Sequence, residues 1–281
     1  MVEDTGARSL LPPEATRHYA AGAEAERLAA GRGRVELART QELILRYLPA
    51  PPAVIYDVGG GPGVYASWLA GLGYGVHRVD ALPLHVEQAR AASAAAGPHA
   101  RIGSVRVGDA RQLEFPDGYG AAVLLLGPLY HLTERADRLA ALREAGRVLR
   151  PGGVVLAAAI SRFASWFDGL LQGMLDDPAG VQIIRDDLQT GQHRNPIDNP
   201  RYFTTTYFHH PSELAAEIAD AGLRHEATLA IEGPAALLPD LDATWADAAR
   251  REQLLEAIRW IEAEPSLLGM SSHVLAVGRK G

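Results

Sequence analysis

An apolar run that ends abruptly in glycine constrains the fold of this chain more than any other feature of its sequence. Residues 54–63 read VIYDVGGGPG, a buried-strand pattern with four glycines at its end, and a helix pattern begins directly after it. Glycine permits a tight turn and omits the Cβ atom that would block a ligand, while the start of the helix offers free N–H groups. The segment therefore predicts a strand, a turn and a helix that approach a nucleotide-like ligand.

The alternation of short apolar runs with helical stretches continues through residue 160. Runs that are apolar throughout are typical of parallel strands covered on both faces, and the alternation implies right-handed crossovers. We therefore predict an α/β fold with a doubly wound, seven-stranded, mostly parallel sheet that carries helical cap insertions. The predicted strands are 54–58, 75–79, 104–107, 121–126, 154–160, 224–230 and 273–278, and the helices between the first five are 65–72, 84–96 and 133–149.

The glycine turn is compatible with two classes of ligand. Gly61, Gly63 and Ala66 fit the dinucleotide pattern G-x-G-x-x-A, and Asp80 ends the next strand, so an NAD-dependent oxidoreductase is one interpretation. Asp57, however, places an acid inside the turn. A pyrophosphate would be repelled there, whereas a sulfonium joined to a zwitterionic amino acid would be accommodated. The charge favours the sulfonium ligand.

From Asp57 onward the chain resembles the class I S-adenosylmethionine-dependent methyltransferases, whose first motif is an apolar strand followed by D-x-G-x-G-x-G. The resemblance covers roughly residues 54–160. It continues in the family's order through HRVD at 77–80, VGDA at 107–110, LLLGPLYHL at 124–132 and VLRPGGV at 148–154. It implies the class I fold, S-adenosyl-L-methionine as cofactor, and methyl transfer.

The resemblance also implies which residues bind the cofactor. In the family, the acid that matches Asp80 accepts hydrogen bonds from both ribose hydroxyls, and the acid that matches Asp109 lies beside the adenine amino group, where Ala110 offers a backbone N–H. Both acids have a structural alternative, since Asp80 can cap a turn and Gly-Asp-Ala favours an Asx turn. The cofactor-binding residues expected from this match are Asp57, Gly59, Gly60, Gly61, Gly63, Asp80, Ala81, Asp109, Ala110, Leu126 and Gly127.

Arg39, in the second N-terminal helix, is a further candidate for cofactor binding. A guanidinium there can reach the methionine carboxylate, although solvated surface is the commoner place for a helical arginine. We predict that Arg39 binds the cofactor. The alternative is an exposed side chain.

Catalytic candidates follow the fourth strand, because ligands bind at the carboxyl edge of open α/β sheets. His131 is a candidate general base, since imidazole titrates near neutrality, and Tyr130 a candidate for shaping the pocket. The alternative for His131 is packing at the start of the next helix. We expect an aromatic lid over the acceptor, built from the candidate substrate residues Tyr19, Trp166, Tyr207 and His210, although the alternation at 207–210 is also that of an edge segment.

The predicted organisation has four parts. Residues 1–52 form an N-terminal helical cap, and 53–160 form the Rossmann-like core that binds the cofactor. Residues 161–210 form a polar and aromatic cap insertion. Residues 211–281 complete the core and include a second helical insertion at about 231–271, in which Leu254, Ile258 and Ile261 share one face.

Composition excludes several classes of function. The chain of 281 residues has no cysteine, which excludes disulfides and thiolate metal sites and fits a cytoplasmic protein. The formal net charge of −7 makes nucleic acid an unfavoured partner, and no apolar run reaches the roughly 20 residues of a membrane span. Arginine replaces lysine almost throughout, as in GC-rich bacterial coding sequences. We predict no metal, and the sequence contains nothing that specifies an oligomeric state.

The sequence therefore predicts methyl transfer from S-adenosylmethionine to oxygen or nitrogen of a small-molecule acceptor. One alternative uses the same sulfonium for another displacement, such as intramolecular cyclisation by the methionine amine with release of methylthioadenosine. Remoter alternatives are the NAD-dependent oxidoreductase and a non-catalytic S-adenosylmethionine sensor. The sensor would share the cofactor residues, but it would not need two insertions that enclose a cavity.

Overall fold

A single seven-stranded sheet organises the computed structural model, which describes residues 10–20, 24–199 and 201–281. The predicted N-terminal cap falls partly outside these residues, at 1–9 and 21–23. The strands are β1 (Val54–Val58), β2 (Gly75–Asp80), β3 (Ser104–Val107), β4 (Gly120–Leu125), β5 (Leu149–Ile160), β6 (Arg224–Ala230) and β7 (His273–Arg279).

The sheet order is β3-β2-β1-β4-β5-β7-β6. Strands β1 to β5 pair in parallel, whereas β7 is antiparallel to both of its neighbours. The order reverses between β1 and β4, which is the switch point where open α/β sheets bind ligands. This arrangement confirms the predicted seven-stranded, mostly parallel sheet.

Helices cover both faces of the sheet and surround its carboxyl edge. The strands between them are buried because apolar side chains point to both faces, and all six residues of β4 are buried. The helices are α1 (Pro13–Ala20), α2 (Glu24–Arg27), α3 (Gly31–Tyr47), α4 (Val64–Gly71), α5 (Pro83–Ala95), α6 (Pro128–His131), α7 (Arg135–Val148), α8 (Ala164–Gln172), α9 (Pro178–Thr190), α10 (Pro211–Asp220), α11 (Leu241–Ala246) and α12 (Ala248–Ile261).

Two helical segments lie outside the sheet, one after β5 and one after β6. After β5 the chain forms α8, α9 and a short antiparallel pair of strands, Gln192–His193 with Thr206–Tyr207. After β6 it forms α11 and α12, and Ile258 of α12 packs against Val35 of α3 in a small apolar cluster. Leu254 lies at the edge of this cluster, as its helical spacing predicts. Among the helices of the described residues, none has the length and apolar character needed to cross a membrane.

Candidate active site

The glycine turn after β1 has the tight geometry that its sequence predicts. Gly59, Gly61 and Gly63 have φ of +69°, +59° and +93°, in the left-handed region that favours glycine. A Cβ atom on Gly59 would lie 2.8 Å from Pro128, and one on Gly60 would lie 2.2 Å from the Asp57 carboxylate. The turn therefore lies close to the β4 exit loop on one side and to an acid on the other.

Asp57 lies beneath this turn and is fully buried. Neither carboxylate oxygen has a hydrogen-bond partner among the described residues, and the nearest cation is the Arg78 guanidinium, whose Nε lies 3.5 Å from Oδ2. Burial raises the pKa of Asp57 to about 6, although Arg78 opposes this shift. An acid in this state gains from any cationic group that approaches the turn.

Asp80 ends β2 and lies at the cavity wall. Its Oδ2 accepts hydrogen bonds from the Gly61 N–H at 3.0 Å and from Arg78 Nη2 at 2.9 Å, and its Oδ1 accepts one from the Leu82 N–H at 2.9 Å. His85 Nδ1 lies 3.3 Å from Oδ1. Burial opposes ionisation, but the hydrogen bond with His85 and the charge of Arg78 hold the pKa of Asp80 below its usual value.

A cavity lies over the carboxyl ends of β1 to β4 and contains most of the predicted cofactor residues. It holds about 1050 Å³ of space not filled by atoms, with the solvent at its mouth included. Asp57 and Gly63 lie beneath it: Gly63 packs against Ala89, and its Cβ position lies 3.1 Å from that side chain. The predicted cofactor residues that line this cavity are Gly59, Gly60, Gly61, Asp80, Ala81, Ala110, Leu126 and Gly127.

Two predicted cofactor residues are not brought to this cavity. Asp109 accepts a hydrogen bond from the Arg111 backbone N–H at 2.8 Å and pairs with the Arg111 guanidinium, so the Asx-turn alternative describes it. Arg39 is fully buried, which corrects the exposed alternative, and it is not among the residues that line this cavity. Its guanidinium binds the carboxylates of Glu42 and Glu262, because α3 packs against the segment after α12.

Several residues that line this cavity carry no local sequence signal. Arg27 and Glu36 come from the N-terminal helices, and His273 comes from the start of β7. Only tertiary packing brings these elements to the glycine turn. His85 had a signal: it lies in the first turn of the helix that follows the Asp80 strand, where its side chain can reach back to the acid.

A second cavity adjoins the first and holds about 1390 Å³ of space, again with open solvent included. The two cavities share wall residues: Tyr19, Arg27, Glu36, Tyr130 and His273. Aromatic residues of the 201–210 segment enter the second cavity, namely Tyr202, Phe203 and Phe208. The predicted aromatic wall is therefore present, but it is built from other members of the segment.

Of the four predicted substrate residues, Tyr19 alone lines the cavities. Trp166 is 40% exposed on α8, and Tyr207 packs under the Arg138 guanidinium, 3.8 Å from its ring centre. His210 caps the first turn of α10, where its ring nitrogen accepts a hydrogen bond from the Ser212 N–H. The alternation of an extended segment explains this outcome: Phe208 faces the cavity, so Tyr207 faces the body of the protein.

His131 and Tyr130 both lie in the wall, at the exit of β4. Tyr19 Oη and His131 Nε2 lie 2.7 Å apart, which closes the cavity between α1 and α6. Burial lowers the pKa of His131 to about 4, so its ring is neutral near pH 7. A neutral imidazole can accept the tyrosine proton in this hydrogen bond.

A charged cluster forms the wall shared by the two cavities. Arg27 pairs with both carboxylate oxygens of Glu36, and His273 Nδ1 lies 2.5 Å from Glu232 Oε1. One ligand atom each from Glu36, Glu232 and His273 lie within 4.8 Å of one another, a spacing compatible with a metal ion. Burial alone would lower the pKa of His273, but the two carboxylates raise it to about 9. A proton on His273 therefore balances the acids near pH 7.

Comparisons with known proteins identify the domain. Residues 55–153 match a family described as methyltransferase domain, whereas no curated protein matches the chain. A solved S-adenosylmethionine-dependent methyltransferase from Methanosarcina mazei is 17% identical, with a TM-score of 0.58 over 85% of this chain and 96% of that one.

Two further solved structures have the same fold. A methyltransferase solved in complex with the Haloferax volcanii Trm112 methyltransferase activator is 19% identical, with a TM-score of 0.55 over 94% of this chain and 96% of that chain. A geranyl diphosphate C-methyltransferase from Streptomyces coelicolor A3(2), solved with Mg²⁺, geranyl diphosphate and S-adenosyl-L-homocysteine, is 15% identical. Its TM-score is 0.52, over 87% of this chain and 79% of that chain.

The matched domain contains the glycine turn and the strands β1 to β4, which form the floor of the first cavity. The strand order, with an antiparallel β7 inserted between β5 and β6, is that of the solved methyltransferases. The chain therefore contains a methyltransferase domain at residues 55–153 and has the fold of the class I S-adenosylmethionine-dependent methyltransferases.

Proposed function

We propose that this protein binds S-adenosylmethionine in the first cavity and transfers its methyl group to oxygen or nitrogen of a small molecule held in the second. The observation that carries the proposal is the direct contact between the two cavities. The first contains the glycine turn with Asp57 and Asp80, and the second shares a wall with it at Tyr19 and Tyr130. A donor and an acceptor in these cavities would meet at that wall.

The side chains present fit the cofactor. The open backbone at Gly59 to Gly61 provides room for the ribose, and Asp80 lies where its hydroxyls would donate. Arg27 and Glu36 form an ion pair in another part of the cavity wall. Its cation suits the methionine carboxylate, and its carboxylate suits the ammonium. Arg27 takes the role predicted for Arg39, because the face of α3 that carries Glu36 and Thr40 lines the cavity, whereas the Arg39 guanidinium binds Glu42 and Glu262.

When bound, the cofactor supplies a methyl group that is already activated by its sulfonium. The protein must then align the acceptor, exclude water and receive a proton. Tyr19 and His131 lie at the meeting point of the cavities and can receive this proton. An imidazole whose pKa is about 4 is too weak a base to deprotonate an alcohol or amine before methyl transfer. The proton therefore leaves while the new bond to the methyl carbon forms.

The second cavity favours a small acceptor over a macromolecule. Its walls come from α1, α3, α8 and the 201–210 segment, so separate parts of the chain contribute side chains to one space. The formal net charge of −7 also opposes binding to a nucleic-acid backbone. Aromatic rings line it together with charged groups, as in pockets that orient small polar molecules.

Calorimetry with S-adenosylmethionine and NAD tests the cofactor. We expect saturable binding of the former and none of the latter. Binding of NAD alone would contradict the proposal.

Mass spectrometry after incubation with the cofactor alone tests the reaction class: accumulation of methylthioadenosine without an acceptor would show a different displacement. Methylated product and S-adenosylhomocysteine in equal amounts, formed only with an acceptor, would support methyl transfer.

A further inference from the structure

Arg78 is a fully buried arginine directly beneath the cofactor turn. It lies on β2, two residues before Asp80 and opposite Asp57 in the parallel register with β1. A Cβ atom on Gly63 would lie 3.6 Å from its Nε, which places the guanidinium against the start of α4. No part of the predicted cofactor motif required a cation at this place.

The guanidinium of Arg78 connects the two acids of the site. Nη2 donates to Asp80 Oδ2 at 2.9 Å, and Nη1 donates to the His85 carbonyl at 3.4 Å. Nε faces Asp57 Oδ2 at 3.5 Å without a hydrogen bond and is left unpaired among the described residues. One cation thus serves two carboxylates, and the buried group of three carries a net negative charge.

Two buried carboxylates without a cation between them would repel each other and lose their solvation. Asp80 also needs a fixed orientation, because the oxygen that binds Arg78 is the one that accepts the Gly61 N–H. Removal of the guanidinium would therefore disturb both the charge of Asp57 and the connection between the turn and Asp80.

We propose that Arg78 is a positioning residue for the methyl donor, which holds Asp80 at the cavity wall and keeps Asp57 ionised beneath the glycine turn. The inference rests on the proposed function, since it concerns the binding of S-adenosylmethionine. In this role, the buried guanidinium stabilises the negative charge of the two carboxylates near which the sulfonium cofactor binds.

Cofactor affinity should depend on pH through Asp57. The charged groups that face Asp57 are Arg78 and Asp80, both from β2, and His85 of α5 faces Asp80. Because the pKa of Asp57 is raised to about 6, cofactor affinity should fall as the pH drops through this value. Without the cation the pKa rises further, so the fall should begin at a higher pH, by about one unit or more.

The test is the dissociation constant of S-adenosylmethionine, measured by calorimetry from pH 5.5 to 9 for the full chain. We expect Arg78→Met to weaken binding about tenfold at pH 7.5 and to recover part of this loss at pH 9. Arg78→Lys should restore most of the affinity and the original midpoint. The matched control is Arg138→Met, since Arg138 is 2% exposed and pairs with Glu217 away from both cavities.

The outcomes separate this inference from the proposed function. A wild-type chain that does not bind S-adenosylmethionine contradicts the proposed function itself. If the wild-type chain binds and Arg78→Met folds with the same affinity and pH midpoint as wild type, Arg78 does not have the proposed role. An equal shift of the midpoint in Arg138→Met would overturn that role as well. If Arg78→Met does not fold, Arg78→Gln and Arg78→Lys decide: the midpoint should rise where the charge is removed and stay near 6 where it is kept, and the same midpoint in both overturns the inference.

Discussion

At the scale of single residues, the partner rather than the residue type determines what an acid does. Asp80 and Asp109 follow neighbouring parallel strands, and both match acids of the family motifs. Asp80 lies at the cavity wall because the turn N–H and Arg78 hold it there. Asp109 turns away because Arg111, two residues later, offers both a backbone N–H and a guanidinium. The local sequence contains both possibilities.

The turn itself gives a prediction for Gly61. Its φ of +59° disfavours any Cβ, so Gly61→Ala should cost about 1–2 kcal/mol of folding free energy and reorient the N–H that binds Asp80. We expect at least about tenfold weaker binding of S-adenosylmethionine, measured by calorimetry. Gly71→Ala is the control, because a Cβ there meets open space at the end of α4. Equal affinity in the two variants would contradict this account of the turn.

A second prediction concerns His131. If its neutral ring receives the acceptor proton, His131→Asn should lower the maximal rate about 100-fold while the dissociation constant of the cofactor stays nearly unchanged. The wild-type maximal rate should show no titration by His131 between pH 6 and 8, because its pKa is about 4. Steady-state kinetics across this range provide the measurement. A rate for the variant within about threefold of wild type would leave alignment as the whole contribution of the site.

At the scale of elements, the strands follow closely from their apolar composition. The largest difference is β5, which begins at Leu149 instead of Val154. Pro151, Gly152 and Gly153 are residues that favour a turn, yet Leu149 pairs with Gly120 and the register shifts before Ala122 pairs with Val154. Gly152, with φ of +73°, accommodates this irregularity. Pairing with β4 thus extends a strand that proline and glycine would end in isolation.

Helix α1 gives a prediction for cofactor exchange. It is attached over the cavities by a hydrogen bond between Thr205 Oγ1 and Glu14 at 2.6 Å and by the Tyr19 to His131 contact at 2.7 Å. The double variant Thr205→Val, Tyr19→Phe removes both hydroxyls and should raise the dissociation rate of S-adenosylmethionine about tenfold. Stopped-flow measurement of release tests this.

Arg17→Gln is the control on the same helix. Arg17 and Asp198 lie 3.5 Å apart with side chains that are 61% and 73% exposed, so the pair should contribute almost nothing. The release rate of this variant should stay within about twofold of wild type. An unchanged rate in the double variant would show that α1 does not control release.

At the scale of the whole molecule, β7 joins the sheet to the cap at the wall shared by the cavities. His273 begins β7, and its side chain pairs with Glu232, which follows β6 and also accepts a hydrogen bond from Ser271 Oγ at 2.8 Å. Glu36 from α3 faces the same ring at 3.8 Å. One protonated imidazole thus stabilises the packing of β7 against α3 and the segment after β6.

This pair predicts how stability depends on pH. The pKa of His273 is raised from its ordinary value of 6.5 to about 9, so the stabilisation is complete below pH 6.5 and is lost as the pH rises through 9. The free energy of unfolding should fall by about 1–3 kcal/mol between pH 7 and 10. Urea denaturation of the wild type and of His273→Gln measures it. A variant with the same decline as wild type would exclude His273 as its source.

The sequence by itself determined the sheet, the cofactor turn and the acids at the strand ends. These features are local: short apolar runs between helical stretches are typical of inner strands, and a turn with positive φ favours glycine. The tertiary structure alone decided that Arg27, Glu36 and His273 share a wall, that Arg39 lies buried among acids, and that Phe208 rather than Tyr207 faces the cavity. Such contacts join residues far apart in the chain, and the free energy that selects them comes from the packing of whole elements, which no short segment encodes.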